Sequence, residues 1–474
     1  MSVPSSGPAP LPGGAGAGRP AISPASSQEL LRAVDARRED AVALLAELVS
    51  IDSTNPNFIG VDRPAVIGGE TRCNEVLLEH YEQAGLETHW VARDPERRNL
   101  VGVRRAAASR DNASGSPSPV AGRSLILNGH IDTVAAVEPD RWLCGSPWKA
   151  EVRDGRLFGL GSTDMKGGCT AMWLAAQALS DLDLKLAGEL QLHSVVGEET
   201  MEHELGTRAC VRAGFRADAA IVTEPASLPE PLTISPIAAG NWHFRIEIDG
   251  LATHCGNRAL AIRPGGAGDT IGVNALEKAV KIVNWLQELE QQWGFSKSHP
   301  YFMPGFFTLL PGVFHSDPGV PVPYYFSNRA EIQYSCWYPP GQPAADVAAE
   351  IEQFVLAACK LDPWLAARPP RFEWVNNWPP ASTPWEHDVV QTLVQAHEAA
   401  TGRPVPPPSP AHPVAFGAAS DASFLEDEGI PSVVYGPGDL RVAHCRDESI
   451  DLDEVVLAAK SLALCVLEWC GAAP

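Results

Sequence analysis

The sequence predicts an α/β protein: a doubly wound, mostly parallel sheet interrupted by a smaller α+β domain. Three observations predict it. Helical periods alternate with short apolar runs from Ser27 to about residue 233, as in a parallel sheet with crossover helices. Near Ile234 the pattern changes to strands that alternate polar and apolar residues, as half-exposed antiparallel strands do. After "WPPASTP" the first pattern returns. The 474 residues also exceed what one hydrophobic core usually serves. The expected division is a tail at 1–27, a first α/β part at 28–233, an insertion at 234–379 and a second α/β part at 380–474.

The tail is Pro, Gly, Ala and Ser with almost no large apolar side chain, so it cannot offset the entropy of ordering. "QELLRAVDARREDAVALLAELVSI" reads as one amphipathic helix and "TRCNEVLLEHYEQAGLE" as another. "NLVGVR" is a strand, and "RSLILNGHID" is a buried strand that ends in polar residues. Between them, Ala106 to Arg123 reads as an exposed loop. The helix "KGGCTAMWLAAQALSDL", the strand "ELQLHSVV", the helix "LGTRACVRAG" and the strand "ADAAIVTEP" follow. In the insertion, "GNWHFRIEIDG" and "NRAEIQYSCWY" alternate as strands around a long helix through "IGVNALEKAVKIVNWLQELEQQW". The helix "AADVAAEIEQFVLAACK" and the strand-like "PRFEWVNN" complete it. The chain closes with "HDVVQTLVQAHEAATG", "IPSVVYGPG" and a last helix, "LDEVVLAAKSLALCVLEWC".

The net charge of −22 disfavours nucleic acid or an anionic membrane as partner, because both need a basic footprint. No long uncharged apolar run and no secretory signal is visible, and the ten cysteines show no CxxC pair. This suits reduced thiols, and a cytoplasmic protein is expected.

Several apolar strands finish in metal-ligand residue types. "LILNGHID" ends in His130 and Asp132, "LHSVVGEE" in Glu198 and Glu199, "AIVTEP" in Glu224, and "VVYGPG" leads into "AHCRDE" with His444. In open α/β sheets the carboxyl ends of the strands face one crevice, which would gather these groups. Asp164, in "GLGSTDMKGG", lies where glycines permit a tight turn before a helix. Two histidines and several carboxylates without cysteine suit a borderline divalent ion, zinc first, with cobalt and manganese as alternatives. In His130-x-Asp132 the two side chains share a strand face, so the carboxylate can accept the imidazole's second N–H. The neighbouring Glu202, His203 and Glu204 read as solvated residues at a helix start.

These stretches, with "THCGN", "GVNALEK" and "ASDASFL", resemble the acetylornithine deacetylase, succinyl-diaminopimelate desuccinylase and carboxypeptidase G family of dinuclear zinc amidohydrolases. The resemblance runs from about Ile51 to about Val455. It implies that the insertion is a ferredoxin-like lid and dimerisation domain, and that the protein is a homodimer. It also implies a site of two divalent ions: His130, Asp164 and Glu224 on one, and Asp164, Glu199 and His444 on the other, with Asp164 as bridge. Asp132 would orient His130. Glu198, free of metal, would be general base on a metal-bridged water, which attacks the C–N amide bond as hydroxide. His254, in "LATHCGN", resembles the family histidine that reaches across a dimer to the oxyanion, and a non-proline cis peptide is implied at Asp164–Met165.

Glu224, where aminopeptidase-like relatives have Asp, implies a deacylase or carboxypeptidase. The expected substrate is an N-acyl amino acid or related small amide. A dipeptidase or carboxypeptidase of the same family, and a non-catalytic ligand-binding relative, are the alternatives. One departure stands out: many members carry an Arg for the substrate carboxylate before "PPG", whereas here Trp337 occupies that place. Arg329 and Arg263 are candidate substitutes. If Trp337, Tyr338, Tyr324 and Tyr325 line the pocket, the group they meet is apolar.

Overall fold

The structure, a computed structural model, describes residues 24–107, 122–261, 271–320 and 322–473. Most of the tail, most of the loop expected at 106–123, and Arg263 lie outside them. A six-stranded sheet forms the larger part. Four of its strands run parallel in the order Leu190–Val195, Leu125–His130, Ala219–Val222 and Ser432–Val434, the last at the edge. An antiparallel pair, Arg97–Arg104 and Glu87–Asp94, extends the Leu190–Val195 side. The parallel strands are buried along their full length, which is why they read as continuous apolar runs rather than alternating ones. Strand alternation divides them between two cores: Leu125 and Leu127 meet the helices Gly167–Asp181 and Leu452–Cys470, while Ile126 packs on the other side with Phe416 and Leu425.

Residues 240–378 build a separate four-stranded antiparallel sheet with its own core. The chain order is strand Gly240–Asp249, helix Ala275–Ser296, strands Leu309–His315 and Arg329–Tyr338, helix Ala344–Cys359 and strand Arg371–Trp378. This βαββαβ order is ferredoxin-like. Phe244, Ile246 and Ile248 face the helices, so Asn241, His243 and Arg245 are turned to the opposite face. The two chain segments that connect the sheets pair with each other, Ile237–Ala238 against Ala381–Ser382.

The structure differs from the sequence expectations in several elements. The first helix is two, Pro24–Ala36 and Arg38–Ser50, and the earlier one begins inside the expected tail. Glu87–Asp94 and Leu309–His315 were not expected as strands. Both are edge strands, and the second is exposed at six of its seven residues and carries Pro311, so its apolar pattern is weak. All ten cysteines are unpaired. No helix among the described residues is long and apolar enough to cross a membrane.

Candidate active site

The parallel strands deliver their ligand-type residues to one sheet edge. His130 is the last residue of its strand and is fully buried. Its Nδ1 donates to the main-chain oxygen of Asp132 at 2.9 Å. A carbonyl can only accept, so the proton is held on Nδ1 and Nε2 presents a lone pair. That lone pair faces Asp164 Oδ1 at 3.1 Å, Glu224 Oε1 at 3.6 Å and Glu198 Oε2 at 3.9 Å. On the far side of Asp164, Oδ2 lies 3.3 Å from His444 Nε2, which is 3.2 Å from Glu199 Oε2. The potential ligands thus form two groups, His130, Asp164 and Glu224, and Asp164, Glu199 and His444, with Asp164 shared.

The residues present fit divalent cations. The buried Oε1 of Glu199 has no hydrogen-bond partner, and an imidazole lone pair aimed at three carboxylates is repulsive unless positive charge lies between them. The electrostatics agree. Burial, reinforced by neighbouring carboxylates, pushes Glu198 and Glu224 well above the usual carboxylate range, and burial raises Glu199. Burial alone would lower both histidines, but Glu224 and Asp164 raise His130, and Glu199 and Asp164 raise His444 to about 12. Asp164 is held low, against its burial, by its bonds to the two histidines. A cation bound between them would supply the positive charge that this cluster of buried carboxylates lacks.

Local sequence explains the placement. Gly161 and Gly197 have φ of +78° and +83°, which favour glycine in the turns before Asp164 and Glu198. Gly168 is the second residue of the helix after Asp164, and a Cβ there would stand 2.0 Å from the carbonyl oxygen of Thr223. The helix therefore sits directly against the turn that carries Glu224. The Asp164–Met165 peptide is cis, as the resemblance implies.

Asp132 meets His130 through its main chain rather than through its carboxylate. Its carboxylate lies 3.6 Å from His130 Nδ1, and it accepts instead from Asn55 Nδ2 at 2.8 Å and from the main-chain N–H groups of Glu198 and Glu199 at 3.2 and 3.1 Å. A main-chain carbonyl two residues past the histidine is the nearer acceptor, so the carboxylate is left for the turn. His203 and Glu202 are not solvated. His203 is buried, bonds Asp421 at 3.1 Å and stacks on Phe424. Glu202 bonds the buried Arg97, which Glu70 also holds at 2.6 and 2.8 Å. Only Glu204 keeps an exposed side chain.

A cavity of about 530 Å³ opens over this centre. Asp164, Glu198, Glu199, Glu224 and His444 form one wall, and Asn241, His243, Ser335, Trp337 and Trp378 of the second sheet form the opposite one. His254 is not among its lining residues. It is exposed, and its Nδ1 accepts from the N–H of Gly256 at 3.0 Å to cap a short 3-10 helix. Of the four aromatics named above, only Trp337 lines the cavity. Tyr338 is core, Tyr324 and Tyr325 are exposed, and Arg329 pairs with Glu247.

The family model described as peptidase family M20/M25/M40 matches residues 126–468. The chain belongs to this family. M20 hydrolases are metal-dependent and cleave amides, and so this M20 chain is a metal-dependent amidohydrolase. It is 31% identical, over 94% of its length and 97% of the relative's, to an N-formyl-4-amino-5-aminomethyl-2-methylpyrimidine deformylase of Halalkalibacterium halodurans. It is 26% identical to an acetylornithine deacetylase of Myxococcus xanthus over 90% and 97% of the two chains. Human carnosine dipeptidase 1 shares the fold, with a TM-score of 0.66 and 15% identity over 94% and 99% of the chains. This M20 site also contains residues the sequence reading missed. Glu448 accepts from the N–H groups of Thr163 and Asp164 at 2.8 and 3.1 Å, and so fixes the Asp164 loop from the residue just before the strand Ser449–Asp451. Asn55 and Asn241 are not metal-ligand residue types, and Asp421 lies in a quoted stretch with no role assigned to it; only their tertiary neighbours reveal them.

Proposed function

We propose that the protein is a two-metal hydrolase that removes a small acyl group, formyl foremost, from the amine of a small amide. The observation that carries this is the position of Glu198. Six ligand-type contacts fall into two groups that share Asp164, and Glu198 stands beside them at the cavity wall while belonging to neither. A protein that only bound a ligand would have no use for a buried, unligated acid at that place. The mostly full-length likeness to a deformylase and to a deacetylase supports the reaction type. No Lys or Arg is among the described residues that line the cavity, which favours an uncharged amide over an N-acyl amino acid.

His130, Asp164 and Glu224 would hold one ion and Asp164, Glu199 and His444 the other, with zinc favoured by the donor set. Such ions polarise an amide carbonyl and acidify water. Glu198 takes the proton of the attacking water and returns it to the departing amine. Asp132 keeps Glu198 in place through the main chain. Residues 234–379 act as the lid, and His254 serves as oxyanion donor from a second copy in a homodimer. A cytoplasmic location fits the ten unpaired thiols.

The test is an assay of zinc- or cobalt-loaded protein on N-formyl, N-acetyl and N-succinyl amino acids, N-formyl arylmethylamines and dipeptides. Cleavage of small N-acyl amides is expected. Glu198→Gln should lose about 10²–10⁴ in kcat and keep two metals per chain, whereas Glu199→Ala should lose metal. Equal metal loss in both variants, or no amide cleaved by the wild type, overturns the reading.

A further inference from the structure

The wall that faces the carboxylates is a sheet surface with a defined register. Asn241 of the strand Gly240–Asp249 lies between Trp337 of one neighbour and Trp378 of the other. On the next outward rung His243 lies between Ser335 and Asn376. Neighbouring strands are about 4.8 Å apart, so two indole-bearing positions flank one amide at a separation of about 10 Å. Both tryptophans are braced from behind. Trp378 packs edge-on against His203, whose ring is stacked on Phe424 and bonded to Asp421. Trp337 packs edge-on against Phe306.

The Asn241 amide of this wall is held in place, and its polar groups are incompletely used. Asn241 donates through Nδ2 to Ser335 Oγ at 3.0 Å. No hydrogen bond among the described residues engages its Oδ1 or the His243 ring. His243 is exposed on this face, and a neutral imidazole there offers a donor and an acceptor. Fixed polar groups between rigid aromatic surfaces favour a planar ligand with hydrogen-bonding edges, because little is lost in ordering the site. A carboxylate placed there would meet no cationic side chain and would face Glu198, Glu199 and Glu224 across the cavity.

We infer that the Trp337–Asn241–Trp378 rung, with His243, recognises the amine half of the substrate and selects a flat, uncharged ring with hydrogen-bonding edges. This rests on the hydrolase reading above, and it assigns specificity to the lid sheet.

The experiment measures binding rather than turnover. Zinc-loaded Glu198→Gln protein is titrated calorimetrically with 5-(formamidomethyl)pyrimidin-4-amine, N-formylbenzylamine and N-formylleucine. The pyrimidine should bind at least about tenfold more tightly than N-formylleucine, since the latter's carboxylate finds no partner. Asn241→Ala should weaken the pyrimidine about tenfold and N-formylbenzylamine less than about twofold, because only the pyrimidine uses the amide. Trp337→Ala should weaken both ring compounds about tenfold and leave N-formylleucine unchanged. Thermal unfolding checks that each variant is folded. If Asn241→Ala is not, Ser335→Ala, which releases the Asn241 amide, should show the same selective loss. Equal loss of both ring compounds in the Asn241 variant, or tightest binding of N-formylleucine, overturns the inference. A wild type that hydrolyses N-formylleucine but neither binds nor cleaves the ring compounds sinks the inference and spares the hydrolase reading. Selective ring binding without any hydrolysis does the reverse.

Discussion

Asp132 spaces two functions with one side chain and one carbonyl. Its main-chain oxygen sets the tautomer of His130, and its carboxylate holds the N–H groups of Glu198 and Glu199. Asp132→Ala leaves those two buried donors unpaired, at a cost of about 1–3 kcal/mol each, and lets the Glu198 turn drift. The expected outcome is a fall in kcat of tenfold or more with zinc affinity nearly kept, read by steady-state kinetics and metal titration. If the carboxylate acted through His130 instead, zinc affinity would fall about 10–100-fold. The sequence showed the His-x-Asp pair, but a strand end leaves open which of two acceptors the imidazole reaches first. The same limit applies to His203, whose polar neighbours suggested water and whose partners, Asp421 and Phe424, lie more than 200 residues away.

At the scale of elements, the centre depends on a close approach. The turn that carries Glu224 is packed between Gly168 and Gly436, where an added Cβ would stand 2.0 and 2.1 Å from the oxygen of Thr223. Neither glycine has positive φ, so lack of a side chain, not backbone freedom, is the requirement. Gly168→Ala must push the helix Gly167–Asp181 off the turn, separating Asp164 from Glu224. Overpacking of this kind costs about 1–3 kcal/mol. The expected result is a lower urea midpoint together with loss of the metal held by His130, Asp164 and Glu224. A variant with unchanged metal content would show that the helix start can yield. The sequence located Gly168 beside a ligand, in a run of glycines read as turn formers; the packing partner is what it could not show.

The whole molecule has two large cores, one around the parallel sheet and one within residues 240–378. Buried Lys278 bonds Asp362 at 2.8 and 3.0 Å in the smaller one, where Asp362 also caps the helix Pro363–Ala367. Burial alone would raise the Asp362 pKa, but the bonds to Lys278 and Lys281 lower it from 3.8 to about 2. A depressed carboxylate contributes stability that is full above its unfolded pKa and is lost as pH falls through the folded one. The smaller part should therefore lose stability between about pH 4 and pH 2. Asp362→Ala leaves Lys278 buried without its partner, a loss of about 3–5 kcal/mol, and should remove that pH dependence. Acid unfolding followed by tryptophan fluorescence checks both.

The sequence by itself determined the α/β class, the interruption near Ile234, and the five residues that the structure draws into two ligand groups with Glu198 beside them. It could do so because those features are local: apolar periodicity defines strands, and each strand's polar end follows in the chain. Only the tertiary structure decided that Asp132 serves the Glu198 turn, that Glu448 fixes the Asp164 loop, that His203 is buried, and that Glu202 bonds Arg97. It alone turned Asn241 and His243 toward the metal ligands while His254 stays exposed. Each of these rests on partners far apart in the chain and on which face of a sheet meets which. Contacts of that kind leave no period or motif to read.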